Sequence, residues 1–288
     1  MREVRQRCGF GCVICGLPLY EYDHITGWAN THEHDVRDIM LLCDRHHREK
    51  TNGLLPMEAV NAANENPRNL RAGLTEPYTL HYSGDRFKID IGSNVFQGAD
   101  QGGGTSVDIL RIDGHPLIAV TLEDGHYLLD LNVYDNNNAP ILQIEQNELV
   151  ANARSWDIEF VGTQLIIREG PGKILFDISF LPPSEIQMNR GRLLYNDVEL
   201  LITPGFLLVL NNRLLLQRNT ARGSYYAGIV LGEDPDRTPA SFRFNGIRRE
   251  GWNRQEAISW AYENVAKTAR VKAITEDLLS VDLREAGA

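Results

Sequence analysis

Three short stretches hold most of the reactive side chains of this 288-residue chain: "CVICG" at residues 12–16, "YDHI" at 22–25 and "LLCDRHH" at 41–47. The four cysteines are Cys8, Cys12, Cys15 and Cys43, all near the N-terminus. A disulfide scaffold spreads its cysteines along the chain, whereas clustering with histidines points to metal ligation in a reducing cytosol. Cys12 and Cys15 form a C-x-x-C knuckle, and Cys43 and His46 a C-x-x-H knuckle after 27 intervening residues. Two residues between ligands let a tight turn aim both side chains at one ion. Two such knuckles complete a closed tetrahedral site of the structural type, for which zinc is the default metal. The competing reading is a set of thiols packed in a core. Cys8 is left over and reads as a thiol tucked against the neighbouring hairpin.

That site leaves Asp23, His24 and His47 unused. The combination of "CVICG", "YDHI", "LLCDRHH" and a following Lys-Thr resembles the HNH endonucleases, the ββα-metal nuclease family, over the first quarter of the chain. The resemblance implies a hairpin carrying an Asp-His pair and a short helix carrying a further histidine. It implies His24 as general base, since an imidazole titrates near neutrality and accepts a proton from water. Asp23 and His47 resemble the ligands of a catalytic divalent ion, Mg2+ or another such as Mn2+, bound with open positions for phosphate and water. The family's Asn aligns with Asp38, which accepts hydrogen bonds but does not donate as Asn does. Two roles are open for Asp38: orienting His24 or adding charge at the metal. Replacing it by Asn restores the family residue, which predicts retained activity if it only orients. Arg45, Arg48 and Lys50 follow on the same short helix and suit phosphate contacts, or equally a solvated helix face. His32 and His34 read as solvated loop residues or as additions to the metal cluster, and Arg2, Arg5 and Arg7 as either a small basic patch or an ordinary charged helix.

The elements around these residues divide the chain at about residue 75. Within residues 1–75, Pro56 opens and Pro67 closes a helix. From 76 to 288 the texture is mainly β. "HYLLDLNVY" alternates Tyr127, Leu129, Leu131 and Val133 against polar neighbours, and "KILFDISF" alternates Ile174, Phe176, Ile178 and Phe180. Pieces such as "EDG", "EGPG" and "LNN" mark turns. "GADQGGGTS" reads as a loop, and residues beyond Trp252 return to helical spacing through Ala257, Trp260, Ala261, Val265 and Ala269. The expected fold is α+β: a small zinc-stabilised ββα-metal domain, then a larger mainly-β domain (a sandwich, barrel or short solenoid) ending in a helix.

The formal net charge of −10 is unlike that of a protein held on DNA by general electrostatics. Any contact with nucleic acid, double-stranded DNA being the expected substrate, would then be local, metal-assisted or helped by assembly. Apolar stretches such as "LLVLNNRLLL" suggest a homo-oligomer through the β domain, though an ordinary core explains them as well. No apolar run reaches membrane-spanning length, and the N-terminus lacks a signal-peptide core, so the expected location is the cytoplasm. A nuclease that must spare its host's genome implies a trigger, as in a defence or restriction-like effector. The alternative function is a zinc-stabilised module that binds nucleic acid or protein without cutting. Asp23, His24 and His47 discriminate, because a pure zinc binder does not require them.

Overall fold

The computed structural model describes residues 1–26, 35–223 and 226–265; His32, His34 and the helical continuation expected through Ala269 lie outside them. The N-terminal unit opens with helix α1 (Arg2–Arg7) and the Cys12–Cys15 knuckle. A hairpin follows, of strand β1 (Glu21–His24) and strand β2 (Ile39–Leu42), antiparallel with Asp23 opposite Met40 and His24 opposite Ile39. Helix α2 (Asp44–Thr51) comes directly after, then α3 (Met57–Glu65) and α4 (Arg68–Ala72). Pro56 does precede α3, while Pro67 caps α4 rather than only closing α3. All of β2 is buried, in a core shared with α1, the knuckle and α3. Val4, Cys8, Val13, Met40, Leu42 and Val60 form the centre of this small core.

The rest of the described chain is two sheets over one larger core, with Phe10 from the N-terminal unit among its members. An eight-stranded sheet and a ten-stranded sheet are built largely from consecutive antiparallel strands. Two-residue turns set their registers. Asp113-Gly114, Asp124-Gly125, Gln146-Asn147 and Asn196-Asp197 all take positive φ at both positions, the conformation whose twist matches that of the flanking strands. The alternation in "HYLLDLNVY" holds throughout, with Tyr127, Leu129, Leu131 and Val133 all fully buried. In "KILFDISF" it breaks at its start. Ile167 pairs with Phe176 but Arg168 with Ile174, so Leu175 is the extra residue of a bulge and is buried in place of Ile174.

The "LLVL" segment is covered on both faces by its own chain. Leu207 and Val209 enter the shared core, and Leu208 and Leu210 pack with Ala257, Ile258 and Ala261 of the C-terminal helix α5 (Arg254–Asn264). These apolar strands are therefore accounted for without a second subunit. Among the described residues no helix is long and apolar enough to cross a membrane.

The two units meet through buried charge. Arg5 is 6 % exposed and donates through Nε and Nη2 to Asp157 at 2.8 and 2.7 Å, and through Nη1 to Glu159 at 3.0 Å and the Tyr22 hydroxyl at 2.8 Å. Burial alone would lower the pKa of this guanidinium; its bonds to Asp157 and Tyr22 more than reverse that and hold it above the usual range. Arg7 donates to the carbonyls of Val36 and Ile39, and Arg2 lies over the Trp156 ring at 4.3 Å. The three arginines thus dock α1 and do not form a free basic patch.

Candidate metal centre and hairpin site

The knuckle geometry follows from local backbone bonds. Gly16 takes φ +83°, a left-handed turn that suits glycine. Its N–H donates to the Cys12 carbonyl at 2.7 Å, closing the turn. A Cβ at Gly16 would lie 2.2 Å from Asn69 Oδ1, while Asn69 Nδ2 holds the Gly9 and Gly16 carbonyls at 2.9 Å each. Cys43 is the N-cap of α2, which puts His46 one turn into the helix on the same side. The two knuckles converge: the ligand atoms of Cys12, Cys15, Cys43 and His46 all lie within 4.8 Å of one another. His46 Nδ1 is 3.3 Å from both Cys12 Sγ and Cys43 Sγ, and Cys15 Sγ is 3.7 Å from Cys43 Sγ. A zinc ion at about 2.3 Å from sulfur and about 2.0–2.1 Å from nitrogen makes a tetrahedron with edges of about 3.8 Å (S–S) and about 3.5 Å (S–N). These three edges fit that ion.

Electrostatics fit it too. The Cys12 thiol is pulled down to about 4, first by a hydrogen bond from the Cys15 thiol and then, against its burial, by backbone N–H groups of Cys15, Cys43 and Ile14. Cys15 is pushed up by the same shared proton and by burial. A cation between them would replace that proton. Cys8 is different. It is fully buried in the small core, burial pushes its thiol up to about 11, and it stands outside the ligand cluster.

The second group of side chains lies on the hairpin. Residues two apart on a strand share a face, so Glu21 and Asp23 both look toward α2. His47 sits between them, with Nδ1 3.1 Å from Glu21 Oε2 and Nε2 3.5 Å from Asp23 Oδ1. Ligands about 2.1 Å from one divalent ion lie about 3.0 Å apart when adjacent and about 4.2 Å when opposite, and the Asp23–His47 gap falls within that range. Asp23 Oδ2 is taken by Lys50, whose ammonium approaches to 2.5 Å and also donates to the His24 carbonyl. Lys50 is only 11 % exposed at its side chain, so it is turned inward onto the hairpin. Arg45 is exposed and paired with Glu49 at 2.9 Å. Arg48 is exposed beside His47 in an open cavity of about 420 Å³ with Glu21, Asp44, Thr51 and Asn52.

His24, at the end of β1, meets the residue just before β2. Its Nδ1 is 3.2 Å from Asp38 Oδ2. Asp38 also accepts from Thr26, at Oδ1 from the backbone N–H (3.1 Å) and at Oδ2 from the hydroxyl (2.9 Å). Desolvation opposes ionisation here, but the Thr26 bonds and then His24 outweigh it and hold the Asp38 carboxyl below its ordinary range. An ionised Asp38 only accepts, so Nδ1 of His24 is the donor. The sequence motifs mark His24 and Asp38 but not Thr26 or Glu21. Glu21 is visible as the residue two before Asp23. Thr26 carries no signal.

No family model, curated protein or solved structure matches the chain.

Proposed function

We propose that this chain is a metal-dependent phosphodiester hydrolase of the HNH type, cutting DNA. The observation that carries the reading is the meeting of three segments beside a Cys3His group: β1 brings Asp23 and His24, the turn just before β2 brings Asp38, and α2 brings His47. His24 takes the proton of the attacking water at Nε2, and Asp38 holds the ring by its Nδ1–H and stabilises the imidazolium that forms. Asp23 and His47 would hold a divalent ion, which would supply polarisation of the scissile phosphate and neutralisation of the departing 3′ oxygen. Arg48, exposed beside His47, meets a flanking phosphate, and Arg45 follows one turn earlier on the helix surface. Cys12, Cys15, Cys43 and His46 hold zinc as a fold-stabilising ion, fixing α2 against the hairpin.

The β unit, in this reading, recognises the substrate or a trigger, as in a defence or restriction-like effector. Assembly through it keeps the charge argument but not the apolar-strand argument, since those strands are covered within the chain. One observation favours the alternative of a non-cutting binding module: Lys50 already neutralises Asp23. Purified protein incubated with plasmid, single-stranded DNA and RNA, with Mg2+, Mn2+ or EDTA, separates the two. Divalent-dependent cutting of plasmid supports the nuclease, and inactivity on every substrate with every ion supports the binding module.

A further inference from the structure

The contact between Glu21 and His47 explains something the nuclease reading leaves open: what aims the histidine. Glu21 Oε2 lies 3.1 Å from His47 Nδ1, while His47 Nε2 lies 3.5 Å from Asp23 Oδ1. A carboxylate only accepts hydrogen bonds, so a neutral His47 bonded to Glu21 carries its proton on Nδ1. Its Nε2 lone pair then faces the Asp23 oxygen. Two acceptors facing each other at that distance leave room for a cation, and Lys50 on the same carboxylate weakens their repulsion until one is bound. Strand spacing makes this arrangement specific, because Glu21 and Asp23 lie on the same face of β1 and flank one histidine of α2.

We infer that Glu21 is a positioning residue: it fixes the ring orientation and Nδ1–H tautomer of His47, so that Nε2 and Asp23 Oδ1 converge on one divalent ion. Histidines that bind metals donate their other ring N–H in this way, and loss of the partner costs about 10–100-fold in metal affinity. Lys50 does the matching task on the other ligand, engaging Asp23 Oδ2 and leaving Oδ1 toward His47. Glu21 is 56 % exposed at its side chain, so its replacement leaves the hairpin core untouched.

The inference rests on the proposed divalent site, and its test reads the histidine separately from the ion. Full-length, zinc-loaded protein labelled with 15N is compared as wild type, Glu21→Gln and Glu21→Ala. Long-range 1H–15N spectra, recorded near pH 7.5 without added divalent ion, report the His47 tautomer. Calorimetric titration with Mn2+ then reports affinity. Wild type and Glu21→Gln, whose amide oxygen still accepts, should hold Nδ1–H. Glu21→Ala should lose that preference and bind Mn2+ about 10–100-fold more weakly, with Glu21→Gln staying close to wild type. An unchanged tautomer in Glu21→Ala overturns the inference. So does a Glu21→Gln protein as weak as Glu21→Ala, which would make Glu21 a ligand by charge. A wild-type His47 protonated on both nitrogens also overturns it, as an imidazolium bridging two carboxylates. Failure of wild type to bind Mn2+ removes the nuclease reading, while the tautomer comparison still decides the role of Glu21.

Discussion

Arg5→Met removes the guanidinium that joins the hairpin unit to the β unit while keeping most of its apolar volume. The residue it strands is Asp157, whose side chain is 2 % exposed and would retain only Arg168 Nη1 at 2.9 Å. Breaking one side of a buried ion pair costs about 3–5 kcal/mol, and the surviving Arg168 bond places this case at the lower end, about 3 kcal/mol. Glu159 and Tyr22 add little, because water reaches both. For a domain of this size each kcal/mol moves Tm by roughly 2–4 °C, so the expected drop is roughly 6–12 °C. Thermal and urea unfolding of the full chain measure it. The double variant Arg5→Met/Asp157→Asn should recover a large part of the loss, since no unpaired charge is left behind. A single variant within about 0.5 kcal/mol of wild type, the range of an ordinary surface change, would refute this account of the interface. A double variant no better than the single would refute the assignment of the cost to Asp157.

Cys15→Ser should lower bound zinc from about one ion per chain and unfold the hairpin unit, read by elemental analysis and by limited proteolysis within the first 75 residues, with the β unit left resistant; full zinc occupancy in the variant would count against the ligand assignment. Asp38→Asn should reduce cleavage by about 10²-fold or more without weakening Mn2+ binding. This reverses the outcome expected from the resemblance, because both Asp38 oxygens accept bonds in the structure, so one amide donor must either face the Thr26 N–H or force His24 into the wrong tautomer; unimpaired cutting would refute this account of Asp38. Glu199 is buried, which alone would raise its pKa, but bonds from Arg254 and the charges of Arg192 and Arg254 hold it below the ordinary 4.5. Its folded-state pKa is depressed, so its contribution to stability is present above about pH 4.5 and fades as pH falls through the folded value. Urea midpoints from pH 6 to 3 should therefore fall more steeply in wild type than in Glu199→Gln, and parallel curves would contradict that.

What was legible in the sequence was local. The Cys3His cluster announces itself because two-residue spacings need only a turn and a helix cap to converge. Strands such as His126–Tyr134 were legible because alternation and Asp-Gly turns act over neighbouring residues. The buried pair of Arg5 and Asp157 joins residues 152 positions apart, and no local pattern marks it. Leu175 shows how one extra residue in a bulge changes the phase of an alternating strand. The spacing from His47 to Lys50 put both on one helix face, but only the position of β1 made Asp23, and not a bound phosphate, the partner of Lys50. Asp38 was placed by resemblance, and its effect on His24 became specific once Thr26 was seen to occupy both of its oxygens.

The central claim is that His24 is the base of a divalent-dependent nuclease, and its most direct measurement is single-turnover cleavage of supercoiled plasmid by wild type and His24→Ala. Both proteins must carry the same zinc content and show the same circular dichroism. The account predicts divalent-dependent cutting by wild type and a loss of about 10²–10⁴ in rate for His24→Ala, with Mn2+ affinity unchanged. Equal rates for the two proteins, or no cutting by wild type with any divalent ion, would contradict it.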